Sequence, residues 1–289
     1  MEETVRYIIF IVLLLLLLLC IGIYCFLKYI GKYFNGYTEL IKILQKVKGN
    51  SKLYMNFGLW DKHITTLTQA NNNLCDFMIA KGSLDKSKTI LDVGCGYGEQ
   101  DLYLYSKIRK KMYCLDISPE QINCFQKNVM KHSLQKKLKA FVGNATELPF
   151  APNSFDTVLS LESAFHYNQR TDFFKEAWRV LKPSGKLVIA DIVLHKPTIT
   201  FPITLCQKAF SVPTENLVTK HIWREQLEKR GFAVTMYDIT EKTFVPYFMN
   251  FINNYPCDYI LYSIFLQYIA SWITSYIPFR YIVGIAIKQ

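Results

Sequence analysis

The residues able to do chemistry in this chain fall in a few short stretches. Asp92-Val93-Gly94-Cys95-Gly96-Tyr97-Gly98 is a D-x-G-x-G-x-G run that completes an apolar stretch beginning at Thr89. Glycines at this spacing let the backbone turn sharply and approach a ligand closely. The run differs from G-x-G-x-x-G, in which a helix N-terminus meets a pyrophosphate. An acid ahead of the glycines suits a cationic ligand group better than a phosphate. A second acid, Asp116, comes about 20 residues after the glycines. A carboxylate there suits a ribose diol, since it accepts two hydroxyl hydrogen bonds; a plain helix cap is the competing role. Asn144, in Gly143-Asn144-Ala145-Thr146, is short and polar enough to read an adenine amino group. His166 lies in Glu162-Ser163-Ala164-Phe165-His166. Its ordinary pKa of about 6.5 suits proton removal from a hydroxyl, against a purely structural loop role. Asp191, in Ile189-Ala190-Asp191, could orient that imidazole or cap a loop.

These residues need strands to hold them. Buried strands are read over 89–94, 111–117, 139–144, 155–161, 186–194, 232–240 and 281–288. Helical patterns occupy 171–181 and 221–230, and Lys182-Pro183-Ser184-Gly185 reads as a turn. Strands alternating with helices argue an α/β fold with a doubly wound, mostly parallel seven-stranded sheet. Ligands of such sheets sit beyond the carboxyl ends of the strands, where Asp92, Asp116, Asn144, His166 and Asp191 all fall.

Taken together, ILDVGCGYGE, LDISPEQI, GNATELPF and RVLKPSGKLVIAD resemble the class I S-adenosylmethionine-dependent methyltransferases, in family order and at family spacing. The resemblance covers 54–195 well and 219–289 by strand pattern only. It implies a Rossmann-like methyltransferase fold with S-adenosyl-L-methionine as cofactor and no metal. Gly94, Gly96 and Gly98 would wrap the methionine part, and Asp92 would anchor its ammonium, through water. Asp116 would hold the ribose hydroxyls, Ile117 would lie against the adenine, and Asn144 and Ala145 would border it. Asn144 departs from the family's usual Asp, so the contact loses a charge. The leader Tyr54-Met55-Asn56-Phe57-Gly58-Leu59-Trp60-Asp61 is similar to that of the small-molecule group acting on tocopherol-, sterol- and polyketide-like substrates. It implies a lid with Tyr54 and Trp60, and a catalytic His at position 166.

Composition adds a membrane. Residues 7–27 carry no charge, and 21 residues of helix span about 31 Å, the thickness of a bilayer core. The run is longer than a signal-peptide core and lacks a small-residue cleavage pattern. Lys28, Lys32, Lys42, Lys46, Lys48 and Lys52 follow it, which places the body of the protein in the cytosol. The expected organisation is a short lumenal or exterior tail over 1–6, a transmembrane anchor over 7–27, a basic linker over 28–52 and a methyltransferase domain over 53–289. A lid insertion, at the membrane interface or not, is expected at about 241–279, because the uncharged stretch 259–277 carries a polar stripe and must return to a final strand; a second membrane span and a plain core helix are the competing readings. The net charge of +11 fits an anionic cytoplasmic leaflet. No nucleic-acid module or N-P-P-Y-like tetrapeptide is present, which argues against RNA or protein methylation.

The expectation is a single-pass membrane protein, in the endoplasmic reticulum among other possible membranes, that methylates a lipophilic small molecule at oxygen with His166 as base. N-methylation of an ethanolamine-type headgroup, C-methylation of a sterol or quinone, and a non-enzymatic cofactor-binding scaffold are the alternatives.

Overall fold

The computed structural model describes residues 52–199, 211–254 and 278–289, with Ile203, Thr204 and Gln207 between them. These residues fall in the compact unit Gln45–Gln289. The expected anchor at 7–27 and the uncharged stretch at 259–277 lie outside the described residues. Among the described residues no helix is long and apolar enough to cross a membrane.

The strands are β1 (Thr89–Val93), β2 (Lys111–Asp116), β3 (Leu138–Val142), β4 (Phe155–Leu161), β5 (Leu181–Leu194), β6 (Phe232–Asp238) and β7 (Phe279–Lys288). They form one seven-stranded sheet in the order β3-β2-β1-β4-β5-β7-β6. β1 to β5 run parallel; β7 is antiparallel to both β5 and β6. The order reverses between β1 and β4, which opens the ligand crevice at their carboxyl ends.

Six helices flank the sheet among the described residues: α1 (Leu67–Gly82), α2 (Glu99–Ile108), α3 (Pro119–Lys131), α4 (Arg170–Val180), α5 (Lys220–Glu228) and α6 (Phe244–Asn254). Ile90, Met112, Cys114 and Leu159 pack under Leu74 and Met78 of α1, Leu104 of α2 and Phe125 of α3. Leu91, Val93, Val158, Leu187 and Ile189 face the other way, onto Phe173 and Phe174 of α4 and Trp223 of α5. Because both faces are covered, the central strands β1 and β4 are buried nearly throughout, whereas the edge strands β3 and β6 are only partly buried.

Local chemistry sets the boundaries. Thr66 and Gln69 form a reciprocal capping box at the start of α1. Ser118, not Asp116, caps α3, with Pro119 at its first turn. The expected turn at 182–185 lies within the bounds of β5 as a bulge. Phe155 pairs with Leu181 and Thr157 with Lys186, so the chain loops out between them, with Ser184 at φ 59°. Between β6 and β7 the described residues hold α6, and the remainder of the expected insertion, 255–277, lies outside the described residues.

Candidate active site

The glycine loop leaves β1 and is tied to β2. The Gly94 and Cys95 amides both donate to the Leu115 carbonyl, at 2.7 and 3.1 Å. The three glycines differ in their reasons for being glycine. All have positive φ. A Cβ on Gly94 would lie 2.3 Å from Ser163, and one on Gly98 would lie 2.1 Å from the Phe125 ring. A Cβ on Gly96 would meet only Gln121 Oε1, at 3.9 Å. Gly94 and Gly98 therefore permit close packing of protein on protein, whereas Gly96 faces open space that a ligand can use.

Asp116 lies across that space. Its Oδ2 accepts from the Gly96 amide and its Oδ1 from the Ser118 amide, each at 2.9 Å. Each oxygen retains a lone pair for a hydroxyl. Burial nevertheless raises its pKa, against these amides. Ile117, 73% exposed, presents a bare apolar face beside it, as a stacking surface for a base requires. Asn144 is exposed, and its Oδ1 already accepts from the Thr146 amide and hydroxyl. Its free amide hydrogens, rather than its oxygen, are left to face a base. Ala145 is buried beneath this loop.

Asp92 closes β1 under the glycine loop and is buried. It accepts from Gln100 Nε2 at 3.3 Å, and burial pushes its pKa up to about 6.

The chemical end begins where β4 stops. Ala164–His166 form one turn of 3-10 helix. The Tyr167 hydroxyl donates to the Val93 carbonyl at 3.0 Å and lies 2.9 Å from Ser163 Oγ. The histidine turn is thus fastened to the glycine loop. From the other side, Asn216 Nδ2 donates to the carbonyls of Phe165 and Tyr167, at 3.1 and 2.6 Å. Asp191 departs from its expected role. Its Oδ2 accepts from Arg170 at 2.9 Å and Trp223 Nε1 at 2.7 Å, and its Oδ1 from the Ile192 amide at 3.0 Å. Arg170 in turn donates to the Asn216 carbonyl at 3.1 Å. Asp191 thus bears on His166 through Arg170 and Asn216 and the backbone they hold, not as a partner of the imidazole.

The leader crosses this end of the sheet. Trp60 and Tyr54 are buried, with Trp60 Nε1 donating to the Phe57 carbonyl at 2.8 Å and the Tyr54 hydroxyl to Asn72 at 2.7 Å. Phe57 packs edge-on against Phe244 and Tyr247, with ring centroids 5.0 and 4.8 Å apart. Met55 Sδ accepts from Gln121, the residue facing Gly96.

One residue of this site carried no motif signal. Glu162 follows β4 at φ 50°, a strained region for a non-glycine residue. Its Oε1 accepts from the Phe57 amide at 2.8 Å and from the Tyr281 hydroxyl. Burial raises its pKa to about 8 despite those donors. Strain and a displaced pKa at a strand end make Glu162 a candidate for the site.

Comparison with known proteins agrees with this geometry. The family described as a methyltransferase domain matches residues 91–189. An erythromycin 3''-O-methyltransferase from Saccharopolyspora erythraea is 35% identical over 189 residues, which are 62% of this chain and 62% of its own. A 27-O-demethylrifamycin SV methyltransferase from Amycolatopsis mediterranei is 30% identical over 165 residues, 57% of this chain and 58% of its own. This chain thus spans about three fifths of the length of these relatives. A geranyl diphosphate C-methyltransferase from Streptomyces coelicolor superposes with a TM-score of 0.71 at 16% identity, over 91% of this chain and 97% of that one. Residues 91–189, which hold the glycine loop, Asp116, Asn144 and His166, match a methyltransferase domain, and the fold is shared with the geranyl diphosphate enzyme.

Proposed function

We propose that this chain transfers the methyl group of S-adenosylmethionine to the oxygen of a lipophilic small molecule, from a membrane-held position facing the cytosol. The observation that carries the reading is that three parts are tied together at the carboxyl ends of β1, β2 and β4. Gly96, Asp116 and Ile117 form a cofactor cradle. The His166 turn is fastened to the glycine loop. Phe57, Phe244 and Tyr247 give an aromatic wall on the other side.

The cofactor supplies an activated methyl on a sulfonium that departs as a neutral thioether. The protein's part is positioning and proton acceptance. Asp116 holds the ribose, Asp92 offers its charge to the ammonium, and His166 takes the acceptor hydroxyl's proton. The aromatic wall suits an apolar substrate, and the lysines after residue 27 suit a cytosolic body beside anionic headgroups. β7 pairs with β5 along nine residues, Phe279 to Ile287, so the chain returns to the sheet after 255–277, which favours a single crossing by 7–27.

Glu162 supports a second reading, a nitrogen or carbon acceptor whose proton goes to that carboxylate. Turnover on a lipid extract with methyl-labelled cofactor separates the two. His166→Ala should leave cofactor affinity unchanged and lower turnover by about 10²–10⁴, the range of general base catalysis. Unchanged turnover in that variant, with loss in Glu162→Gln, would transfer the base role to Glu162.

A further inference from the structure

Beneath the glycine loop lies a second acid that the cofactor reading leaves unused. Asp101, in the first turn of α2, is completely buried, as is its neighbour Asp92. Asp92 Oδ1 and Asp101 Oδ2 are both sealed from solvent without a donor. Among the described residues neither carboxyl forms an ion pair. What faces them is apolar or weakly polar. Cys75 comes from α1, Cys95 from the loop and Cys114 from β2, whose thiol donates to Asp101 Oδ1 at 3.2 Å. Gln100 touches Asp92, and the nearest further charge is Asp116, also negative. A small cavity lined by Cys75, Met78 and Leu104 adjoins Asp92.

Two buried carboxylates in contact without a cation cannot both ionise; one proton between them satisfies both bare oxygens. We infer that Asp101 is a positioning residue, a neutral acid whose O–H donates to Asp92 and holds that carboxylate ionised toward the cofactor's ammonium. The Asp101 side takes the proton because its side-chain donor is the weak Cys114 thiol, whereas Asp92 keeps the stronger Gln100 amide. Burial raises the pKa of both, that of Asp101 well beyond the ordinary carboxyl range, and the bond between them lowers that of Asp92. The α2 N-terminus favours an ionised Asp101, but this is the smaller effect.

The inference rests on cofactor binding by Asp92, and two variants of Asp101 separate it from mere filling of space. Asp101→Asn keeps shape and an N–H donor; Asp101→Leu keeps bulk and removes the donor. Affinity for S-adenosylhomocysteine, which carries the same ammonium, is measured from pH 5.5 to 8 on the full chain, with thermal midpoints alongside. Wild-type affinity should fall as the pH drops through about 6, where Asp92 takes up a proton. Asp101→Asn should keep that midpoint and an affinity within about twofold. Asp101→Leu should move the midpoint up by about one pH unit, and so weaken binding roughly fivefold near pH 6. Infrared spectra at pH 7 give a readout independent of binding. A protonated-carboxyl band should be present in the wild type and lost in Asp101→Asn, with the Glu162 band unaltered. A protonated-carboxyl band other than that of Glu162 that survives Asp101→Asn overturns the assignment, as does a tenfold loss of affinity in that variant at unchanged thermal stability. If no protein, wild type included, binds the homocysteine, it is the role of Asp92 that fails.

Discussion

At the scale of single residues, Gly96 and Glu162 make opposite kinds of prediction. Asn tolerates a left-handed backbone better than other side chains, so Gly96→Asn should fold normally at φ 56° while its side chain fills the open space. Calorimetric titration should show S-adenosylhomocysteine binding lost, with the thermal midpoint within a few degrees of wild type. Retained binding would remove the cradle from Gly96. Glu162 predicts a pH dependence of stability. Its folded pKa is raised from 4.5 to about 8, so between those values the folded protein holds a proton that the unfolded chain has released. Stability therefore falls as pH rises through that window. Glu162→Gln should flatten this slope, and its advantage in thermal midpoint over wild type should grow from pH 5 to pH 8. An advantage constant with pH would mean that Glu162 titrates normally. Gly96, Asp116 and Ile117 were legible because motif spacing alone puts them at strand ends. Glu162 was not, since its environment is made by Phe57 and Tyr281, far away along the chain in both directions.

At the scale of elements, the central strands were readable because both sheet faces are covered, and burial on two sides leaves continuous apolar runs. Ends were read less well: β5 begins five residues early because its bulge retains pairing at Leu181. The partners of Asp191 were hidden for a like reason. Arg170 and Trp223 reach it from α4 and α5, and no local spacing reveals such a network. That network makes its own prediction. Asn216 joins the element after β5 to both carbonyls flanking His166. Asn216→Ala would leave those carbonyls and the Arg170 amide without their partner, at about 1–3 kcal/mol for each buried group left unsatisfied. Steady-state assays should show lower turnover with cofactor affinity preserved, because the cradle lies on β1 and β2. Parallel loss of cofactor affinity would mean that Asn216 serves the whole fold instead.

At the scale of the molecule, the proposed single membrane crossing makes its own prediction. A glycosylation site added after Gln289 should stay unmodified, and one on an extended N-terminal tail should be modified if the anchor sits in the endoplasmic reticulum. A glycosylated C-terminus would put 259–277 across the bilayer. The central claim, methyl transfer to a lipophilic acceptor, is tested most directly by incubating the full-length chain with methyl-labelled S-adenosylmethionine and a lipid extract. Label should pass into the organic phase on a product heavier than its precursor by one CH₂, as an O-methyl group, and should fail to do so with Gly96→Asn. Cofactor binding without any label in the organic phase would contradict the account and leave a scaffold that holds the cofactor without using it.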